Sequence, residues 1–291
     1  MIIVRLIGGL GNQLFQYAIG RALSIKRNTE LMLDISGFNY YKLRDYGLSN
    51  FNINAKIAKQ SEINRLRKPR LNIIIGKING ILGYEKFKIK TLYKEKIFSY
   101  DHDVLMCSDN TYLDGYWQSE RYFSDIRDIL LNEISVVAEP DEPNKRIIKN
   151  MRAQNSISVH IRRGDYVTDK VTNSVYNHCS LEYYDKAISI MKKKLNDPVF
   201  YVFSDDIEWV KYNFSNYKNV IFIDHNDKDV EDLRLMSNCK HNIIANSTFS
   251  WWAAWLNTNP SKFVICPKRW FNSELINTND LIKSDWIKVD N

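Results

Sequence analysis

Between residues 156 and 266 short apolar runs rich in β-branched and aromatic residues alternate with stretches of helical periodicity, a pattern that few folds accommodate. The runs are Ser156–Ile161, Val199–Phe203, Val220–Ile223, Asn242–Ala245 and Phe263–Cys266. The helical stretches are Leu181–Leu195, Ile207–Phe214, Val230–Cys239 and Phe249–Asn257. Strands separated by helices do not close tight hairpins with their neighbours in sequence. They predict a parallel sheet with helices on its faces.

The chain opens in the same way. A strand (Ile2 to Ile7) runs into a glycine turn (Gly8 to Gly11) and then a helix. Leu14, Ala18, Ala22 and Ile25 recur at helical spacing, and Phe15, Ile19 and Leu23 widen the buried stripe. Glu30 to Ile35 reads as a second strand. The segment Ala138–Lys145, with two prolines among polar residues, breaks the periodicity and reads as a linker. The prediction is α/β: two Rossmann-like domains, 1–145 and 146–291, facing a cleft.

Charge separates the two halves. Between Lys56 and Lys96 twelve Lys/Arg stand against three acids, a local charge of +9, while the whole chain carries +7. The remainder is thus slightly acidic, and general basicity of the nucleic-acid-binding kind is not indicated. The basic segment is either a solvated face or a patch that meets an anionic membrane surface. An aromatic content of 13% excludes a disordered chain. Cys107, Cys179, Cys239 and Cys266 show no CxxC pair and no close histidine, so neither zinc nor a disulfide framework is expected. With no apolar run of signal or membrane-spanning length, the chain reads as cytoplasmic, with peripheral contact at the inner membrane face left open.

Parallel sheets bind ligands beyond the carboxyl ends of their strands. After the first run of the second half comes His160-Ile-Arg-Arg-Gly-Asp-Tyr166, and after the second Ser204-Asp205-Asp206. The third ends in Asp224-His225, and after the fourth comes Asn246-Ser-Thr-Phe-Ser-Trp-Trp252. Arg162 and Arg163 match the paired oxygens of a pyrophosphate, Gly164 lets backbone approach, and Asp165 is placed to orient one guanidinium. The alternative is a surface turn with solvated arginines. Asn246, Ser247, Thr248, Phe249 and Ser250 open a helix, where amides attract an anion; simple N-capping is the competing explanation. Asp205 and Asp232 are suited to a purine edge or ribose hydroxyls. Trp251 and Trp255 share one helix face, which favours core packing over sugar stacking.

Two weaker signals point elsewhere. Gly9-Leu-Gly11-Asn-Gln-Leu14 follows the dinucleotide fingerprint but carries leucine for its third glycine, and Asp34 would complete it. Asn12 and Gln13 are equally suited to hydrogen-bond a sugar or phosphate. Asp101-His-Asp103 is a lone D-x-D without a companion ligand cluster, so no metal is expected.

Five segments together carry a family resemblance. They are Gly8-Gly-Leu-Gly-Asn-Gln-Leu-Phe-Gln-Tyr17, Gly115-Tyr-Trp-Gln-Ser-Glu120, His160-Ile-Arg-Arg-Gly-Asp-Tyr166, Val202-Phe-Ser-Asp-Asp206 and Asn246-Ser-Thr-Phe-Ser-Trp-Trp252. In this order they make the chain, from residue 3 to about 270, closely resemble the bacterial α-1,2-fucosyltransferases of glycosyltransferase family 11. The resemblance implies a GT-B-like fold and inverting transfer from GDP-β-L-fucose, without a metal, to the 2-hydroxyl of a terminal galactose on a glycan. It implies a donor set of Asn12, His160, Arg162, Arg163, Ser204, Asp205, Asp232, Asn246, Ser247, Thr248, Phe249 and Ser250. Arg162 would neutralise the leaving diphosphate with Arg163 supporting it, and His160 and Asp232 would lie near the guanosine. Asp165 is the first choice of general base, ahead of Asp169 and Glu120. O-antigen or capsule assembly on a lipid-linked acceptor fits this chemistry. A non-catalytic glycan-binding protein and a dinucleotide oxidoreductase are the alternatives from other classes.

Overall fold

The computed structural model describes the chain apart from residues 41–43, 69, 79–80, 90, 165–174, 176 and 274. The chain divides into two units, Met1–Ile134 and Ser135–Asn291. No described helix is long and apolar enough to cross a membrane, and all four cysteines are free thiols.

In the first unit β1 (Ile2–Arg5), α1 (Leu10–Lys26), β2 (Leu31–Asp34), β3 (Lys56–Ile57) and α2 (Gln60–Arg67) follow one another. Then come β4 (Arg70–Ile78), β5 (Ile81–Ile89), β6 (Leu92–Lys94), β7 (Thr111–Asp114) and α3 (Arg127–Glu133). The parallel sheet has the order β3-β2-β1-β7-β6, and β4 and β5 form a separate antiparallel ribbon. Much of the basic segment thus lies in a ribbon outside the parallel sheet. β1 ends before the predicted Ile7 because the chain turns into Gly8, whose φ of 79° favours glycine. Helix α1 buries Leu14, Phe15, Ala18, Ile19 and Leu23. Glu133 ties it to α3, accepting from Tyr17 Oη at 2.5 Å and from Arg21 Nη2 at 2.7 Å.

The second unit starts with α4 (Glu142–Ala153), so the proline-rich segment belongs to this unit rather than joining the two. Asp141 caps that helix, accepting from Asn144 N–H at 2.9 Å, and a proline sits in its first turn, where no amide is needed. The prolines mark a helix start. Then come β8 (Asn155–Ile161), α5 (Leu181–Lys194), β9 (Pro198–Ser204), α6 (Ile207–Asn213) and β10 (Val220–Phe222). They are followed by α7 (Asp229–Asn238), β11 (His241–Ile243), α8 (Thr248–Leu256), β12 (Val264–Pro267) and β13 (Ile287–Val289). The sheet order is β10-β9-β8-β11-β12-β13, parallel throughout. Numbered within the unit this is 3-2-1-4-5-6, the doubly wound dinucleotide-fold order, with its topological switch between β8 and β11. β13 is an addition to the five predicted strands, three residues too short for a periodic signal. The core beneath the sheet gathers Ile157, Val159, Tyr183, Met191, Phe200 and Val202.

Candidate functional site

Each parallel sheet brings two of the five sequence segments together at its switch point. In the first unit β1 and β7 are neighbours, so the Gly8 turn meets the Gly115 turn. Gln16, fully buried, accepts from Ile7 N–H at 3.0 Å and donates to Gly115 O at 3.2 Å. Asn12 Oδ1 accepts from Gln118 Nε2 at 3.0 Å. Gln13 is not available to a sugar or phosphate. Its Nε2 donates to Gly8 O and Asp45 O at 3.0 and 2.9 Å, and its Oε1 accepts from Gly47 N–H at 3.0 Å. Glu95, which sequence reasoning missed, accepts from Tyr116 and Trp117 N–H at 2.7 and 2.9 Å. Burial raises its pKa despite those bonds. Its distance from the loop in sequence leaves no local signal.

In the same unit the residues behind the two weaker signals have partners within the fold. Asp34 is 2% exposed and accepts from Ser36 N–H at 2.9 Å and Tyr112 Oη at 2.6 Å, so its carboxylate is enclosed rather than presented to a ribose. Asp101 accepts from Tyr93 Oη at 2.8 Å and from Asp103 N–H at 3.0 Å, the second bond capping the short helix that follows. Among the described residues no group of three or more His, Cys, Asp or Glu is placed to hold a metal.

In the second unit β8 and β9 pair with Ile161 opposite Ser204. The next residues therefore emerge side by side, and Arg162 Nη1 meets Asp205 Oδ2 at 2.7 Å. Asp205 Oδ1 accepts from Arg163 N–H at 2.9 Å. Both oxygens of Asp205 are turned on the arginine loop. This replaces its expected role at a purine or ribose: Asp205 holds the loop. The cradle is tight, since a Cβ on Gly164 would stand 2.5 Å from Asp205 Oδ2. Asp205 thus orients Arg162. Asp165, expected to orient one guanidinium, lies outside the described residues, as does Asp169.

The two arginines do different work. Arg163 stacks its guanidinium 3.7 Å from the ring centroid of Trp209, and its Nε donates to Asp206 at 3.1 Å. A guanidinium held by a carboxylate and an aromatic face anchors the loop. Asp206 was named from sequence without a role and Trp209 not at all, because their partner Arg163 lies more than forty residues away. Ser204 Oγ is likewise used internally, accepting from Asp206 N–H at 3.0 Å.

Across the switch point, His160 is 5% exposed with its ring 5.6 Å from that of Phe249. Its Nδ1 is buried and has no partner among the described residues. Burial pushes its pKa down to about 4, the nearby Asp205 opposing and Arg162 assisting, so the ring is neutral at pH 7. A buried, unpartnered imidazole nitrogen is a rare and costly feature unless a ligand completes it. Ser247 is the N-cap residue of α8, yet its side chain makes no capping bond. The first-turn amides are therefore not closed by the hydroxyl that the capping explanation required. Asn246, 1% exposed, donates to Trp270 O at 2.9 Å, and Ser250 Oγ donates back to Ala245 O and Ser247 O. These two hold the turn that Ser247 and Thr248 follow into α8. Asp232, in the first turn of α7, accepts from Asn226 Nδ2 at 2.8 Å. Burial raises its pKa to about 6, with Asn226 opposing and Asp229 and Glu231 adding to the rise.

The model of Glycosyl transferase family 11 matches residues 1–290 of the chain. An alpha-1,2-colitosyltransferase of Escherichia coli is 37% identical over 299 aligned residues, covering 100% of this chain and 99% of that protein. The O-antigen biosynthesis glycosyltransferase WbnK of Escherichia coli is 33% identical over 309, covering 98% and 99%. The galactoside 2-alpha-L-fucosyltransferase SEC1 of Bos taurus is 28% identical over 152, covering 50% of this chain and 41% of that protein.

Proposed function

The chain belongs to glycosyltransferase family 11, and from that premise we propose that it is an inverting α-1,2-fucosyltransferase. It moves L-fucose from GDP-β-L-fucose to the 2-hydroxyl of a terminal galactose on a glycan of O-antigen or capsule type. The observation that carries this reading is the loop after β8, where Arg162 is oriented by Asp205 opposite the uncapped first turn of α8 across one switch point. A guanidinium and a helix N-terminus together suit a leaving diphosphate. The names of the relatives support the α-1,2 linkage, the galactoside acceptor and the O-antigen setting.

In this reading the second unit holds the donor. Arg162 and the amides at Ser247 and Thr248 meet charge as it develops on GDP, so no metal is required. His160, neutral and with an unpartnered nitrogen, and Asp232 serve the nucleoside. The first unit serves the acceptor, and Asn12 is assigned to the donor set. Asp165 is the proposed base, taking the proton of the attacking hydroxyl as the C1–oxygen bond to the diphosphate breaks and the new glycosidic bond forms. The basic segment 56–96 is the place where an anionic membrane or a lipid-linked diphosphate acceptor would be met. A colitosyl donor is the second reading, favoured by the name of the 37% identical relative.

The test is an assay of GDP-fucose, and of the corresponding colitosyl donor, with a panel of galactosyl disaccharides in excess EDTA. NMR of the product should show an α-1,2 bond on galactose. Complete loss of activity in EDTA, restored by manganese, would overturn the metal-free mechanism, and a preference for the colitosyl donor would select the second reading.

The pH response follows from Asp232. Its carboxyl group accepts two adjacent purine N–H groups only when ionised, so the KM for GDP-fucose should rise as pH falls through about 6, with kcat less affected. His160 stays neutral throughout that range. A flat KM between pH 5 and 8 would remove Asp232 from nucleoside binding.

A further inference from the structure

Asp232 ends a line of side-chain amides that begins in a different helix. His225 Nε2 lies 3.0 Å from Asn144 Oδ1, Asn144 Nδ2 donates to Asn226 Oδ1 at 2.8 Å, and Asn226 Nδ2 donates to Asp232 Oδ1 at 2.8 Å. The direction of the line is forced from its acidic end. An ionised carboxylate only accepts, so Asn226 must turn its NH2 to Asp232 and its carbonyl to Asn144. Asn144 must then turn its carbonyl to His225, whose Nε2 carries the hydrogen. Asn144 is 1% exposed and fixed at its backbone by the Asp141 cap, so the relay is anchored at the first turn of α4.

What the relay sets is the plane of one carboxylate. Asp232 Oδ1 is held by Asn226, while Oδ2 has no hydrogen-bond partner among the described residues. Each carboxylate oxygen has two lone pairs, so both oxygens can still accept from a ligand. Guanine presents two adjacent donors, N1–H and the 2-amino group, at the spacing of one carboxylate. Hypoxanthine keeps N1–H and lacks the amino group, so the plane of the acceptor decides how strongly the two bases are told apart.

We propose that Asn226, oriented by Asn144 and His225, is a positioning residue that sets Asp232 to read the 2-amino group of the donor's guanine. This rests on the donor reading given above. It adds that base discrimination depends on an amide relay reaching into α4. A structural staple between α4 and the loop before α7 would also break in a variant, but its loss would weaken GDP and IDP alike.

The experiment is calorimetric binding of GDP and IDP to the wild-type chain and to Asn226→Ala, with Asp232→Ala for comparison. A hydrogen bond to a charged group corresponds to about tenfold to a hundredfold in affinity. The wild type should therefore favour GDP over IDP by at least about tenfold, and Asn226→Ala should reduce that ratio to within about threefold. The isosteric Asn226→Asp, which sets a second acid against Asp232, is read in the same way should the alanine variant fail to fold. A wild-type preference for GDP that survives intact in the Asn226 variants overturns the relay and leaves the donor reading standing. Equal binding of GDP and IDP by the wild type overturns the guanine readout, and no binding of GDP overturns the donor reading and the relay together.

Discussion

Replacing Arg162 with alanine is expected to lower fucosyl transfer by at least about 10²–10³, the usual cost of removing one preorganised donor to developing charge. Two effects act in the same direction. The diphosphate loses its cation, and Asp205, whose side chain is only 26% exposed, loses its counter-cation and keeps only the backbone N–H of Arg163. An uncompensated carboxylate beside a phosphate repels it. Arg162→Lys keeps the charge but loses the planar fork that Asp205 orients, so it should recover only part of the rate. The fold should hold, because a partly exposed ion pair contributes little to stability. The measurement is kcat with GDP-fucose alongside a thermal melt. A variant that keeps its fold and more than about a tenth of the wild-type rate would remove Arg162 from the reaction.

Trp251→Ala should act on stability instead, costing about 3–5 kcal/mol. The side chain is fully buried, with its ring centroid 5.2 Å from Trp252, 6.5 Å from Trp255 and 5.8 Å from Trp286. Its Nε1 donates to Leu281 O at 2.7 Å, and the variant leaves that buried carbonyl unpaired as well as opening a cavity. Because α8 also carries Ser247 and Thr248 at its start, activity should fall with the population of folded protein. Urea unfolding with activity measured in parallel tests this. Unchanged stability with weakened galactoside binding would instead make this tryptophan a sugar platform and revive the glycan-binding alternative.

The parts of the site visible in the sequence are those made by neighbours in the chain. His160 to Gly164 and Asn246 to Ser250 stand out because a strand end, a charge pair and a helix start occur within a few residues. The strands that carry them were legible for the same reason: β-branched runs broken by helical periodicity. Less visible were contacts made by sheet register. Arg162 and Asp205 meet because Ile161 pairs with Ser204, and no local pattern announces which of two adjacent acids takes which of two adjacent arginines. Glu95, Trp209 and the Asn144–Asn226 line were invisible for this reason. The proline-rich segment misled in the opposite way, since helix-start chemistry at Asp141 and Pro143 looks like a linker until the helix is seen.

By itself, the order of residues determined that this chain builds parallel α/β sheets, that polar groups collect beyond their strand ends, and that an arginine loop and a helix N-terminus stand among them. Those properties follow from hydrophobic period and from chemistry within one turn of chain. Only the tertiary structure decided how similar residues divide the work: Arg162 paired with Asp205 and Arg163 bolted to Trp209 and Asp206, Asp205 on the loop and Asp232 on a relay, Gln13 and Asp34 spent within the first unit. A polar side chain's role is set by whether folding has already satisfied its hydrogen bonds, and those partners arrive from strands and helices far away in sequence.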